Sequence, residues 1–129
     1  MELEDFISEW DEDATGMKGV FVEFKKVLES FENADIHFNA RPSITYSMRG
    51  VKTTQDQRPL FVMVDVIDDD PANRWLSVCF FGDTISDPDE LGDLVPGGLL
   101  GEDGHCFDVD DLEMKQYIVD RIAEAYANQ

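Results

Sequence analysis

Residues 101–111 read GEDGHCFDVDD and gather much of the chain's coordinating and nucleophilic chemistry. His105 stands beside Cys106, with Glu102, Asp103, Asp108, Asp110 and Asp111 around them. A structural zinc site needs four ligands, usually including a close pair such as Cys-x2-Cys. Here the two cysteines, Cys79 and Cys106, lie in different segments. Neighbours on a strand point to opposite faces, so His105 and Cys106 do not readily chelate one ion together. A mixed site of His37, His105 and a carboxylate requires a fold that brings them close. Calcium would use the acids of DDDPAN, GEDG or DVDD, but none follows the D-x-[DN]-x-[DN]-G order. As a nucleophile, Cys106 would need His37 or His105 as base. Asp108 shares its strand face, and a nearby carboxylate disfavours a thiolate. A cysteine between apolar neighbours reads first as core. Gly97, Gly98, Gly101 and Gly104 give flexibility without the lysine or positive potential of a phosphate cradle. No metal and no cofactor is therefore expected.

The elements that position these residues follow from hydrophobic spacing. Leu3, Phe6, Ile7 and Trp10 form one stripe of a short helix. Met17, Val20, Phe21, Phe24, Val27, Leu28 and Phe31 predict a helix over about 16–33, with Thr15 as its expected cap. The period then changes to two. Residues 35–40 and 43–49 predict two strands that are polar on one face, and 50–57 a polar loop. Residues 59–67 and 74–81 predict strands apolar on both faces, joined by the DDDPAN turn. One register sets Asp65 opposite Ser77 and Phe61 opposite Phe81. Asp87-Pro88-Asp89-Glu90 reads as a helix start with a capping box, stopped by Pro96-Gly97-Gly98. Residues 99–104 read as a loop, 105–109 as a fifth strand, and Asp110 as cap of a last helix. The order predicts an α+β domain: an antiparallel sheet of about five strands in two layers with N- and C-terminal helices. Residues 1–13 read as a helix and connector, and 14–129 as a single domain.

Charge bounds the partners. The chain of 129 residues carries 29 acids against 10 bases, a net charge of −19. Such a surface repels phosphate backbones and anionic bilayers, so neither nucleic acid nor membrane is an expected partner. Arg41, Arg49, Lys52, Arg58 and Arg74 offset the five acids of 41–74, the one locally neutral stretch. The acidic start has no basic-then-apolar pattern, and two cysteines without an export signal read as reduced thiols in the cytoplasm.

The two-faced strands carry the functional expectation. Phe61, Met63, Trp75, Cys79 and Phe81 would form a second apolar face that needs cover. The first helix, a second copy of the chain, or a client segment could supply it. The leading reading is a non-enzymatic binding domain, dimeric or holding a protein partner, that works through this face. The alternative is a small-ligand binder or enzyme with a pocket under residues 82–104, where His37, Arg49, His105 and Cys106 would be the polar groups.

The order of elements, with YSMRG at 46–50, LFVMVDV at 60–66 and WLSVCFF at 75–81, resembles small bacterial YjbR-like and TfoX N-terminal-like domains over about 16–127. The resemblance implies an α+β domain without an assigned activity. Size and acidity also resemble bacterial secretion chaperones, which implies a holder of client segments. Neither likeness carries a catalytic motif.

Overall fold

The computed structural model describes all 129 residues. Helix α1 spans Leu3–Glu9 and opens on a capping box between Glu2 and Asp5. Helix α2 spans Met17–Ser30. Gly16 at φ 76° turns the chain into it, and the Asp13 carboxylate accepts the N–H of Lys18. The helix ends before the expected Asn33, because Phe31 is already extended and Asn33 takes φ 58°. Thr15 does not cap it; its hydroxyl donates to the carbonyl of Arg74.

The strands are β1 Ala34–Arg41, β2 Thr45–Lys52, β3 Leu60–Ile67, β4 Trp75–Phe81, β5 Asp93–Leu99 and β6 Glu102–Val109. A 3-10 turn, Leu112–Met114, leads into α3, Lys115–Asn128. The cap there is Asp111 and not Asp110; its carboxylate accepts the N–H of Glu113 at 2.9 Å.

All neighbours in the sheet are antiparallel, in the order β1-β2-β3-β4-β6-β5. The α+β class is as expected, with six strands instead of about five. The additional strand is β5, in a segment expected to be a helix and a loop. Pro96-Gly97-Gly98 does not end a helix there. It lies in an edge strand, where a missing N–H costs little. The pairing with β6 skips between Val95 and Leu99. Leu100 and Gly101, at φ 51° and 85°, make the two-residue turn that closes the hairpin. The expected helix at Asp87 is absent because Glu90 takes φ 53° and breaks the helical path.

The three helices pack on one sheet face. Their buried residues belong to a single core of 21 buried residues, which includes Phe6, Trp10, Phe21, Phe24, Ile118 and Ile122. The strands contribute successive cross-strand rows to it: Tyr46, Val66, Leu76 and Val109, then Met48, Val64, Val78 and Phe107. Arg74 ties α1 down. Its guanidinium lies 5.2–5.6 Å from the Phe6, Trp10 and Tyr46 rings and its Nε is 2.7 Å from the buried Asp68 carboxylate. Helix α1 thus covers the helix-side core, not the second face of β3 and β4.

One register shift decides which residues reach that second face. Between Gly50 and Val51 the β2–β3 pairing slips by one residue. Phe61 is thereby turned to the helix side, where it meets Phe31 and Tyr126. A Cβ on Gly50 would stand 2.9 Å from the Phe61 ring, so glycine makes room for it. The predicted Phe61–Phe81 pair does not form, whereas Asp65 does lie opposite Ser77.

Candidate functional site on the open sheet face

No helix lies over the far face of the sheet. Part of it is sealed by a small core of Leu60, Cys79, Phe81 and Leu99, with Val51, Met63 and Cys106 packed against it. Cys79 and Cys106 stand directly opposite on β4 and β6 and form a disulfide, with Cα atoms 4.1 Å apart. The expectation of two reduced thiols is overturned, because the register sets side by side two residues 27 positions apart.

The rest of this face is arranged in cross-strand rows. Asn39, Ser47, Asp65, Ser77 and Asp108 lie opposite one another in turn across β1, β2, β3, β4 and β6. This polar row runs between two others. On one side are His37, Arg49, Met63, Cys79 and Cys106; on the other are Arg41, Thr45, Ile67 and Trp75. Met63, Ile67 and Trp75 are half-buried, neither sealed by the chain nor fully in water.

Asp65 sits at the centre. Its Oδ1 is buried and has no hydrogen-bond partner. Burial pushes its carboxyl above the usual range, and the Ser47 hydroxyl with the charges of Arg49 and Arg41 pulls only part of the way back. A carboxylate held against its preference is a cost to folding that a binding face can explain.

Beside this row lies a pocket of about 660 Å³. His37 and Arg49, a cross-strand pair, line one side. The loop 53–59 and the β5–β6 turn line the other, with Val51, Leu60, Phe81 and Leu100 as its apolar surface. Arg58 holds the two rims together: it lies over the Phe81 ring at 4.1 Å and pairs with Asp83 at 2.9 Å and Glu102 at 3.2 Å. Lys52 also borders the pocket, but its ammonium donates to the carbonyl of Tyr126 in α3. Arg49 donates from Nε to the Ser47 hydroxyl at 3.2 Å and makes no ion pair. A guanidinium with no carboxylate at ion-pair distance, in a chain with 29 acids, can receive a ligand anion.

The four polar residues expected to share a pocket are thus divided. His37 and Arg49 are together. Cys106 is in the disulfide, and His105 is on the helix side. Its Nε2 donates to Asp87 Oδ2 at 2.8 Å, and Tyr117 donates its hydroxyl to the other oxygen. The N–H groups of Leu91 and Gly92 complete the shell at 3.1 and 2.8 Å. Burial alone would push Asp87 up, but these four donors outweigh it and hold the carboxyl well below the usual range. Ser86 adds two hydrogen bonds to the Glu124 carboxylate, and Asn128 donates to the carbonyl of Thr84. The segment 82–92 is therefore strapped onto α3 and does not roof the open face. A smaller pocket of about 440 Å³ lies between Gly82, Leu94 and His105, rimmed by Asp83, Glu102, Asp103 and Arg58.

No three His, Cys, Asp or Glu side chains converge as a metal-holding group. No helix is long and apolar enough to cross a membrane. Compared with family models, curated proteins and solved structures, the chain matches none.

The polar row was only partly foreseen. Of its members, only the pairing of Asp65 with Ser77 was set out from the sequence, as one register, and the β3–β4 ladder adopts it. Asn39, Ser47 and Asp108 joined them only when every strand pairing was fixed.

Proposed function

We propose that this chain is a non-enzymatic binding domain that takes a segment of a protein partner on its open sheet face. The observation that carries this reading is the one-sided helix layer, which leaves Met63, Ile67 and Trp75 half-buried on the same face as the pocket and Arg49, which makes no ion pair. Arg49 and His37 would receive a carboxylate from the partner. Val51, Leu60 and Leu100 would take a neighbouring apolar side chain, and the Asp65 row would accept backbone or side-chain donors. Binding is favoured over catalysis because the nucleophile and base that the sequence offered are not assembled. Cys106 and His105 lie on opposite faces, and both are engaged. The net charge of −19 disfavours nucleic acid and anionic membranes as partners. The cytoplasmic placement expected from the sequence now competes with the disulfide, which persists more readily in oxidising surroundings.

A second reading is a small carboxylate-bearing molecule in the pocket, whose volume falls within the range of small-ligand sites. Selection from a random peptide library tests the first. Peptides with an acid beside an apolar residue should be enriched, and Arg49→Ala and Trp75→Ala should each weaken their binding about tenfold, a central-contact effect. Lys115→Ala, on the helix side, should not. Failure to select any peptide, with saturable binding of phenylacetate or a similar small carboxylate, would transfer support to the second reading. Selected peptides indifferent to Arg49 and Trp75 would overturn the assignment of the face.

A further inference from the structure

The two edges of the sheet are built differently. Edge strand β5 is protected against further pairing: it holds Pro96, two glycines and a pairing irregularity. Edge strand β1 has none of these. Its eight residues, ADIHFNAR, pair with β2 in unbroken register from Ala34 to Arg41, and no proline occurs before Pro42. Its outer N–H and C=O groups form a continuous unpaired edge, which ordinarily calls for charges, a bulge or cover.

The side chains of β1 are complementary to themselves. Consider a second copy added antiparallel about a two-fold axis through Phe38, perpendicular to the sheet. Asp35 then faces Arg41 of the other copy, and Arg41 faces Asp35. His37 faces Asn39, Ile36 faces Ala40, and Phe38 faces Phe38. Faces are preserved, so the open face continues across the junction and the half-buried Ile36 and Phe38 meet on the helix side. Moving the axis to His37 sets Asp35 against Asn39 and the two His37 against each other. Moving it to Asn39 sets His37 against Arg41. Only the axis at Phe38 gives two opposite-charge pairs. Within one chain neither Asp35 nor Arg41 makes an ion pair.

The geometry points to a homodimer joined through β1, with one twelve-stranded sheet formed from two six-stranded halves. The second copy also completes the pocket. Asp35 lines it, and the opposing Arg41 is placed beside Asp35, so a cation from each chain is added to the other's site. The dimer stands independently of the proposed partner, because its formation requires no ligand.

Sedimentation equilibrium of the full chain from 1 to 200 µM tests it. Reversible dimerisation is the expected result. Arg41→Asp should raise the dimer dissociation constant at least about tenfold, since two attractive pairs become repulsive. The exchange Asp35→Arg with Arg41→Asp should restore it, because that chain is complementary to itself again. The register has its own readout: Phe38→Cys should cross-link to itself on oxidation, whereas Ile36→Cys should not. A monomer throughout the range overturns the proposal. So does a dimer that Arg41→Asp leaves intact, or one in which Ile36→Cys cross-links instead of Phe38→Cys.

Discussion

Two aspartates with opposite environments define the chemistry at the scale of single residues. Asp87 has two side-chain and two backbone donors around its carboxylate, and its pKa is depressed. Its contribution to stability is therefore present above the unfolded carboxyl range near 4 and is lost as pH falls toward the folded value. Asp87→Asn should cost about 2 kcal/mol at neutral pH, the scale of hydrogen bonds to a charged group. It should also flatten the acid limb of a denaturation series read from pH 7 to pH 2. Asp65 behaves in the opposite sense. Its carboxyl is raised by burial, so the favourable contribution belongs to the protonated form and is lost as pH rises through the folded value. Asp65→Asn should thus stabilise the fold at pH 7 by about 1 kcal/mol, because the neutral amide escapes the desolvation cost of the buried charge. Urea denaturation of the two proteins at pH 7 measures the difference. Equal midpoints, or a less stable variant, would remove the argument that Asp65 is kept at a cost for binding.

Local packing decides which side chains those elements deliver to each face. At Gly50 a Cβ would lie 2.9–3.1 Å from Phe61, Val62 and Leu28. Gly50→Ala should cost about 1–3 kcal/mol by overpacking. Gly19, inside α2 with nothing within 4 Å of its would-be Cβ, provides the contrast. Gly19→Ala should gain about 0.5–1 kcal/mol from helix propensity. Thermal midpoints of the two variants against the parent chain check both signs. The same packing explains what was legible in the sequence. Period-two and helical stripes identified α1, α2, β1 to β4 and α3, because each buries one face in a regular pattern. The slip beside Gly50 left no mark in the pattern, so Phe61 was assigned to the wrong face. At 87–99 the capping signals were real but local. Asp87 does accept backbone N–H groups, yet its carboxylate is also claimed by His105 and Tyr117, and the chain continues into an edge strand. Contacts with α3 that distant in sequence leave no local signature. For the candidate site, His37 and Arg49 were expected only as two of four groups of one pocket, and their cross-strand pairing came from the β1–β2 register; His105 and Cys106, adjacent in sequence, are separated by the pleat.

The whole molecule is a sheet with one face packed under three helices and one face that no helix covers. Its acidity limits which partners can approach, while Arg49, His37 and Arg41 give the open face a local exception. Shift mapping of the 15N-labelled chain, titrated with a peptide selected on it, tests this division most directly. The largest amide perturbations should fall in β1 to β4, at residues 35–41, 47–51, 63–67 and 75–79, and with Arg49→Ala should need about tenfold more peptide to reach the same extent. Perturbations concentrated in α2 and α3 would contradict the account.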